Sequence, residues 1–165
     1  MRIQLEHTLL NKITDVASLK RKIAMWKLQG ERVVFSNGVF DLLHTGHITY
    51  LTKAAALGGR LVIGLNTDSS VKRLKGPDRP VNSENSRALL LAAMFFVDAI
   101  VLFDEDTPLE LITQLQPDIL VKGADYTIDK IVGAKEVMAN GGEVKTIDFV
   151  DGYSSTSIIQ KIKGN

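Results

Sequence analysis

Five short β-rich runs alternate with helical runs along the 165-residue chain, and this alternation restricts the fold more than any other feature of the sequence. The runs are Arg32 to Phe35, Leu61 to Leu65, Ala99 to Leu102, Asp118 to Val121 and Val144 to Ile147. Most are dense in Val, Ile and Leu, the mark of strands buried on both faces. Between them, apolar stripes and stop signals predict helices over Ser18 to Gln29, Gly46 to Leu57, Thr67 to Leu74, Ser83 to Phe96, Gly133 to Ala139 and Ser154 to Lys163. Thr107-Pro108-Leu109-Glu110 reads as a capping box with proline at the first helical position, opening a further helix to about Leu115. Such alternation implies an α/β fold: a doubly wound, five-stranded parallel sheet with helices on both faces, in a single domain. Residues 31–165 form that domain in this reading, with residues 1–30 as an N-terminal helical segment packed on it.

Composition removes several function classes. Lys and Arg number 20 against 19 Asp and Glu, a net charge of +1, so bulk charge does not draw this chain to nucleic acid. Cysteine is absent, which excludes disulfides, thiolate metal sites and a cysteine nucleophile. No apolar run approaches the ~18–20 residues of a membrane span. Arg2, Glu6, Lys12 and Asp15 interrupt the N-terminus, which lacks a signal-peptide core. The expectation is a cytoplasmic protein with no membrane and no nucleic-acid partner.

In doubly wound sheets, ligands bind beyond the C-terminal ends of the strands. Three clusters follow predicted strands: Ser36 to His47, Asn66 to Arg79, and Lys122 to Tyr126. Ser154-Ser155-Thr156, at the start of the last helix, can join them. Within the first cluster, His44 and His47 lie three apart, the second in a first helical turn. A helix start presents unpaired amides and partial positive charge to a phosphate, and two imidazoles add donors. Gly38 and Gly46 allow close backbone approach. A zinc reading is weak, because no third histidine or cysteine lies nearby. Lys72, Lys75 and Arg79 are an exposed basic turn or, facing the histidines, a source of charge for phosphate. Lys122 follows an apolar strand and points into the cleft, and Gly123 lets the chain turn there. The hydroxyls of Ser154 to Thr156 read equally as ordinary helix caps.

Gly38, Phe40, Asp41, His44, Gly46 and His47 match G-x-F-D-x-x-H-x-G-H, and the segment resembles the signature of the nucleotidyltransferase (cytidylyltransferase-like) superfamily. The resemblance implies a Rossmann-like fold. It also implies transfer of a nucleotidyl group from a nucleoside triphosphate to a phosphate-bearing acceptor, with release of pyrophosphate. Tyr153 to Ile158 is similar to the superfamily's final motif, which places Ser154, Ser155 and Thr156 on the β- and γ-phosphates. Lys75 to Asn82, Val121 to Tyr126, Lys135 to Val137 and Asn140 to Val144 together resemble the bacterial heptose-phosphate adenylyltransferases. That likeness implies ATP, with Mg2+, and D-glycero-β-D-manno-heptose 1-phosphate as substrates, and ADP-heptose for the lipopolysaccharide inner core as product. It covers Ser18 to Lys163 without a sugar-kinase domain, so a stand-alone form is expected.

The roles this resemblance implies fall into groups. His44, His47 and Lys122 are catalytic. Ser36, Asn37, Gly38, Phe40, Gly46, Gly123, Asp125, Ser154, Ser155 and Thr156 bind the nucleotide. Asp41, Asn66, Lys72, Lys75 and Arg79 bind the acceptor. Arg87, which matches a superfamily arginine, and Lys53, which stands in for a basic residue replaced by Ala55, are further candidates. No protein ligand for the metal is assigned. Phe149 replaces an arginine of the glycerol 3-phosphate cytidylyltransferases, and Asn85 stands where an acid before Arg87 is common. Two alternatives stay open: a cytidylyltransferase for a polyol or amino-alcohol phosphate, and a non-catalytic nucleotide sensor. Relatives in the superfamily pair as dimers, and Ala88 to Phe96 is uncharged from Leu89 onward, so a homodimer is expected. Within one chain, the alternative cover is Ser18 to Gln29.

Overall fold

In a computed structural model, which describes residues 2–124, 127–148 and 154–164, five parallel strands form one sheet in the order β3-β2-β1-β4-β5. The strands are β1 (Val33–Gly38), β2 (Arg60–Asn66), β3 (Ala99–Phe103), β4 (Ile119–Gly123) and β5 (Glu143–Ile147). The helices are α1 (Arg2–Leu10), α2 (Val16–Leu28), α3 (Thr45–Ala55), α4 (Asp68–Lys75), α5 (Glu84–Ala92), α6 (Leu109–Leu115), α7 (Ala134–Ala139) and α8 (Ser155–Lys163), with a 3-10 turn at Ile128–Lys130.

Side chains alternate across a strand, so each β-run feeds two cores. Val34, Leu61, Ile63, Ile100, Ile119 and Val121 face one way and pack with Leu51 and Ala54 of α3 and Leu91 and Ala92 of α5. Val33, Phe35, Val62, Val101 and Leu120 face the other way, against Leu19 and Ile23 of α2, Leu111 and Ile112 of α6, and Val137 of α7. The doubly wound sheet expected from the sequence is therefore present, with both faces covered.

Several local expectations are corrected. The loop expected from Ser36 begins only after Gly38, because Ser36, Asn37 and Gly38 pair in register with Ile63, Gly64 and Leu65 of β2. The capping box at Thr107 does not form: Pro108 itself occupies the N-cap of α6, with no side-chain cap bond. The helix expected to reach Phe96 ends at Ala92, and turns through Met94 bring buried Val97 back to the sheet.

The cover over α5 also differs from the one weighed. Helix α2 lies on the opposite face, against α6 and β1, so Ser18 to Gln29 does not cover Ala88 to Phe96. Instead α1 packs against α5, and the chain after it runs beside β3. There Thr14 N–H donates to Ile100 O and Ile100 N–H to Lys12 O, which shields an edge strand otherwise open to another chain.

Candidate active site

Strand β1 sits where the chain turns to β2 on one side and to β4 on the other, so a crevice opens between the C-terminal ends of β1 and β4. It is a cleft of about 330 Å³. The end of β1 and the following residues, Asn37 to Phe40, form one wall, with Asn66 from β2 beside them. Helix α3 contributes His47 and Tyr50, α4 contributes Lys75, and β4 contributes Lys122 and Gly123.

The histidine arrangement follows from helix geometry. His44 is the N-cap of α3, in extended conformation, and His47 is three residues on, so both side chains fall on one face of the first turn. Their rings stack with centroids 3.8 Å apart and planes 21° apart. Phe40, held at a positive φ of 47°, lays its buried ring against His47 at 5.2 Å. Gly38 makes room for that ring: a Cβ there would lie 3.1 Å from Phe40 Cε2.

Burial sets the charge of this pair. Burial first, then the neighbouring His44 and Lys75, drives the His47 pKa down to about 4, with a hydrogen bond involving the Leu42 backbone opposing. Burial also lowers the pKa of His44. Both imidazoles are therefore neutral donors at pH 7 in the free protein. Lys75 is lowered by burial and then by Arg79, with Asp41 opposing. Lys122 Nζ donates to Asn37 O at 3.4 Å, and Asn37 Oδ1 is buried in the cleft wall without a partner.

Around this cleft, two buried charges hold loops in place. The Asp41 carboxylate, 1% exposed, accepts from Arg79 Nε at 2.6 Å, Val81 N at 2.8 Å and Asn82 N at 3.0 Å. Burial works to raise its pKa, but these amides and Arg79 outweigh burial and hold it below the usual carboxylate range. The role read for Asp41 as an acceptor contact thus meets a carboxylate already engaged in ordering residues 79–82. Arg87 is fully buried, not a surface ion pair. It donates to Asn82 O at 3.0 Å, Val39 O at 2.7 Å and Asp68 Oδ1 at 2.8 Å. Asp68 supplies the acid that Asn85 does not.

The remaining candidates divide by position. Asn66 lines the cleft and donates to Ser70 Oγ at 3.0 Å. Gly46 is buried in the first turn of α3. Ser155 Oγ donates to Leu42 O at 3.0 Å, which holds the start of α8 beside the histidine loop. Ser154 caps α8 by accepting from Ser157 N, and Thr156 is exposed in its first turn. Ser36 does not reach the cleft: it is fully buried, with its Oγ 2.9 Å from Tyr50 Oη. Lys72 and Lys53 are exposed and stand outside the cleft lining. Asp125, Tyr126, Phe149 and Asp151 to Tyr153 lie outside the described residues.

Sequence reasoning missed Tyr50, Val39, Asn82 and Asp68. Tyr50 was within reach, since it lies three residues after His47 and so on the same helix face. Its hydroxyl also donates to Val121 O at 3.1 Å, tying α3 across β1 to β4. Among the described residues, no group of three or more His, Asp or Glu is placed to hold a metal ion, and no helix is long and apolar enough to cross a membrane.

Comparison with known proteins settles the family. Residues 35–161, from within β1 to the last helix, match the cytidylyltransferase-like pattern. The chain belongs to the cytidylyltransferase-like family. The bifunctional protein HldE of Magnetococcus marinus is 58% identical over 152 residues, 92% of this chain and 31% of that protein. HldE of Campylobacter fetus is 62% identical over 135 residues, 82% of this chain and 29% of that one. The chain thus spans about a third of the length of these relatives. A crystal structure of the lipopolysaccharide core biosynthesis protein from Thermoplasma volcanium is similar at 33% identity and a TM-score of 0.59, covering 76% of this chain and 100% of that one. The cytidylyltransferase-like match takes in the histidine pair, Lys75, Lys122 and the start of α8, the same parts that the fold gathers at one end of the sheet.

Proposed function

We propose that this chain transfers AMP from ATP to D-glycero-β-D-manno-heptose 1-phosphate, releasing pyrophosphate and giving ADP-heptose for the lipopolysaccharide inner core. The observation that carries the reading is the stacked, neutral His44–His47 pair at the start of α3, whose His47 lines a cleft shared with Lys75 and Lys122. The choice of acceptor is supported by the similarity to the HldE proteins and to a lipopolysaccharide core biosynthesis protein, and by the loops that resemble the heptose-phosphate enzymes.

The chemistry needs no covalent nucleophile. The acceptor phosphate is an anion at neutral pH, and one of its oxygens attacks the α-phosphorus in line while the bond to pyrophosphate breaks. No proton leaves the acceptor, so the site supplies position and charge stabilisation rather than a base. His47 donates to the α-phosphate region, His44 to the neighbouring phosphates, and the amides and hydroxyls at Ser154 to Thr156 receive the leaving pyrophosphate. Lys122 compensates charge at the reacting centre, and Lys75, with Arg79 beside it, draws in the acceptor phosphate. Asp41 and Arg87 act as positioning residues. Magnesium enters as part of the triphosphate substrate, largely water-coordinated.

The chemistry belongs to residues 31–165, with residues 1–30 covering the domain, and the working place is the cytoplasm, where ATP is available. A homodimer fits the exposed apolar side chains of Leu89 and Leu90 on α5 and Phe95 just after it, the last 91% exposed. Sedimentation at micromolar concentration tests that assembly, and a fully active monomer overturns it. For the reaction, pyrophosphate release is measured with ATP, CTP, GTP and UTP against heptose 1-phosphate and glycerol 3-phosphate. ATP with heptose 1-phosphate is expected to be fastest. CTP turnover equal to or above that of ATP, or no turnover of any sugar phosphate, overturns the reading.

A further inference from the structure

The sheet splits at its switch point, and the split can be followed residue by residue. Strand β1 stays in register with β2 to its last residue, Gly38 against Leu65. Strand β4 stays in register with β5 to its last residue, Gly123 against Ile147. Between them, β1 and β4 keep register at Val34 with Ile119 and at Phe35 with Leu120, and there the pairing ends. Continued by one and two residues, it would set Ser36 against Val121 and Asn37 against Lys122. Both strands run on for those residues, each held by its outer neighbour, and the cleft opens between them.

Side chains span the two missing pairs. At the first, Tyr50 reaches in from α3: its Oη donates to Val121 O at 3.1 Å and lies 2.9 Å from Ser36 Oγ. A phenol has one proton, and Val121 O takes it, so the Ser36 hydroxyl donates to Tyr50 Oη. At the second, Lys122 Nζ donates to Asn37 O at 3.4 Å. These contacts join the same residues that an unbroken ladder would have joined.

The first link is built into the core. Val33, Val34 and Phe35 are buried and apolar, and the strand then buries a hydroxyl, Ser36, completely. Burying a hydroxyl costs free energy unless it is bonded, and Tyr50 supplies the partner. Tyr50 is itself 6% exposed and packs in the cluster that holds Leu51, Ile63 and Val121, so its ring fixes where the hydroxyl sits. It lies three residues after His47, on the same face of α3. Lys122 directly follows Val121 in the chain. One hydroxyl therefore links the helix that carries His47 to the strand end that carries Lys122.

We propose that Tyr50 is a positioning residue for nucleotidyl transfer: with Ser36 it replaces the lost rung between β1 and β4, sets the width of the cleft at its floor, and holds Lys122 in place relative to His47. The proposal rests on the nucleotidyl-transfer reading, in which Lys122 and His47 act on the same reacting phosphate. The hydroxyl is engaged by Ser36 and Val121, so it works through Lys122 rather than on the substrate.

Tyr50→Phe keeps the ring and removes the hydroxyl, and Ser36→Ala removes the first donor alone. Pyrophosphate release from ATP with heptose 1-phosphate gives kcat and KM per folded molecule in the full chain, with and without Lys122→Ala. Tyr50→Phe is expected to lower kcat about tenfold, the scale of one buried hydrogen bond. KM for ATP stays within about twofold, since a misplaced charge at the reacting centre is felt in the transition state. Ser36→Ala leaves the bond to Val121 O and is expected to lose about threefold. In the Lys122→Ala background both changes should alter kcat by less than about twofold, because the group they position is gone. A lowered Tm with unchanged kcat per folded molecule overturns the proposal, leaving Tyr50 a structural role only. A tenfold loss that persists without Lys122 overturns it as well, since the hydroxyl then acts elsewhere. A loss confined to KM for ATP overturns it by placing Tyr50 at the nucleotide. A wild-type chain that releases no pyrophosphate with any phosphate acceptor overturns the transfer reading, a result seen before any variant is made.

Discussion

Replacing Asp41 by alanine separates a ligand contact from a structural clamp. The carboxylate is 1% exposed and accepts from the Val81 and Asn82 amides and from Arg79 Nε. Alanine would leave two backbone donors and a largely buried guanidinium without their acceptor. Breaking a buried ion pair by removing one partner costs about 3–5 kcal/mol, and the two amides place this site toward the upper end. For a domain of this size, each kcal/mol lowers Tm by roughly 2–4 °C, so the expected fall is about 6–20 °C. Asparagine keeps an oxygen for the amides but turns an N–H toward Arg79, so its loss is intermediate. The assay is thermal denaturation at pH 7, with acceptor KM measured on the fraction that remains folded. The wild-type contribution persists above the unfolded pKa, near 3.9, and is lost as pH falls through the lowered folded pKa. An Asp41→Ala protein with wild-type Tm and a changed acceptor KM would refute this reasoning and return Asp41 to the acceptor.

His47→Ala is expected to lower kcat by about 10²–10³ while Tm moves little, because the ring supplies a preorganised donor rather than core packing. Steady-state kinetics beside a thermal melt checks this, and a near-wild-type kcat refutes it. Acidification gives an independent reading: the His47 pKa falls from 6.5 to about 4 on folding, so between those values the unfolded chain binds more protons. Stability should therefore drop as pH falls from 6.5 to 4, by about 2 kcal/mol after allowing for water reaching the ring. Urea midpoints across that range should show a flatter slope in His47→Ala. Tyr50→Phe removes the hydroxyl that joins Ser36 to the Val121 carbonyl and should cost about 1–2 kcal/mol. An unchanged urea midpoint would show that this bridge contributes nothing.

Local patterns carried a large part of this protein. The runs of Val, Ile and Leu marked β1 to β4 because burial on two faces demands them, while β5, half exposed, was marked by Val144 and Ile147 after a glycine turn, and the turns between strands carried their own glycine and proline signals. The histidine pair was legible for the same reason: an N-cap and the residue three on share a helix face in any helix. What could not be read was decided by partners distant in sequence. Ser36 to Gly38 became strand rather than loop because β2 pairs with them. Nothing local to Arg87 indicates that Val39, Asn82 and Asp68 enclose it. Nothing local to Asp41 reveals that residues 79–82 would use up its carboxylate, and no periodicity says that α1, rather than α2, covers α5. The amino-acid order by itself determined which segments form strands, which form helices and where a phosphate-binding helix start falls, since those depend on neighbours within a few residues. Strand order, the burial of Arg87 and the clamp on Asp41 were decided only in the folded chain. Each arises where segments that are not neighbours along the chain exclude water from one another, and that pairing is set by the packing of the whole sheet.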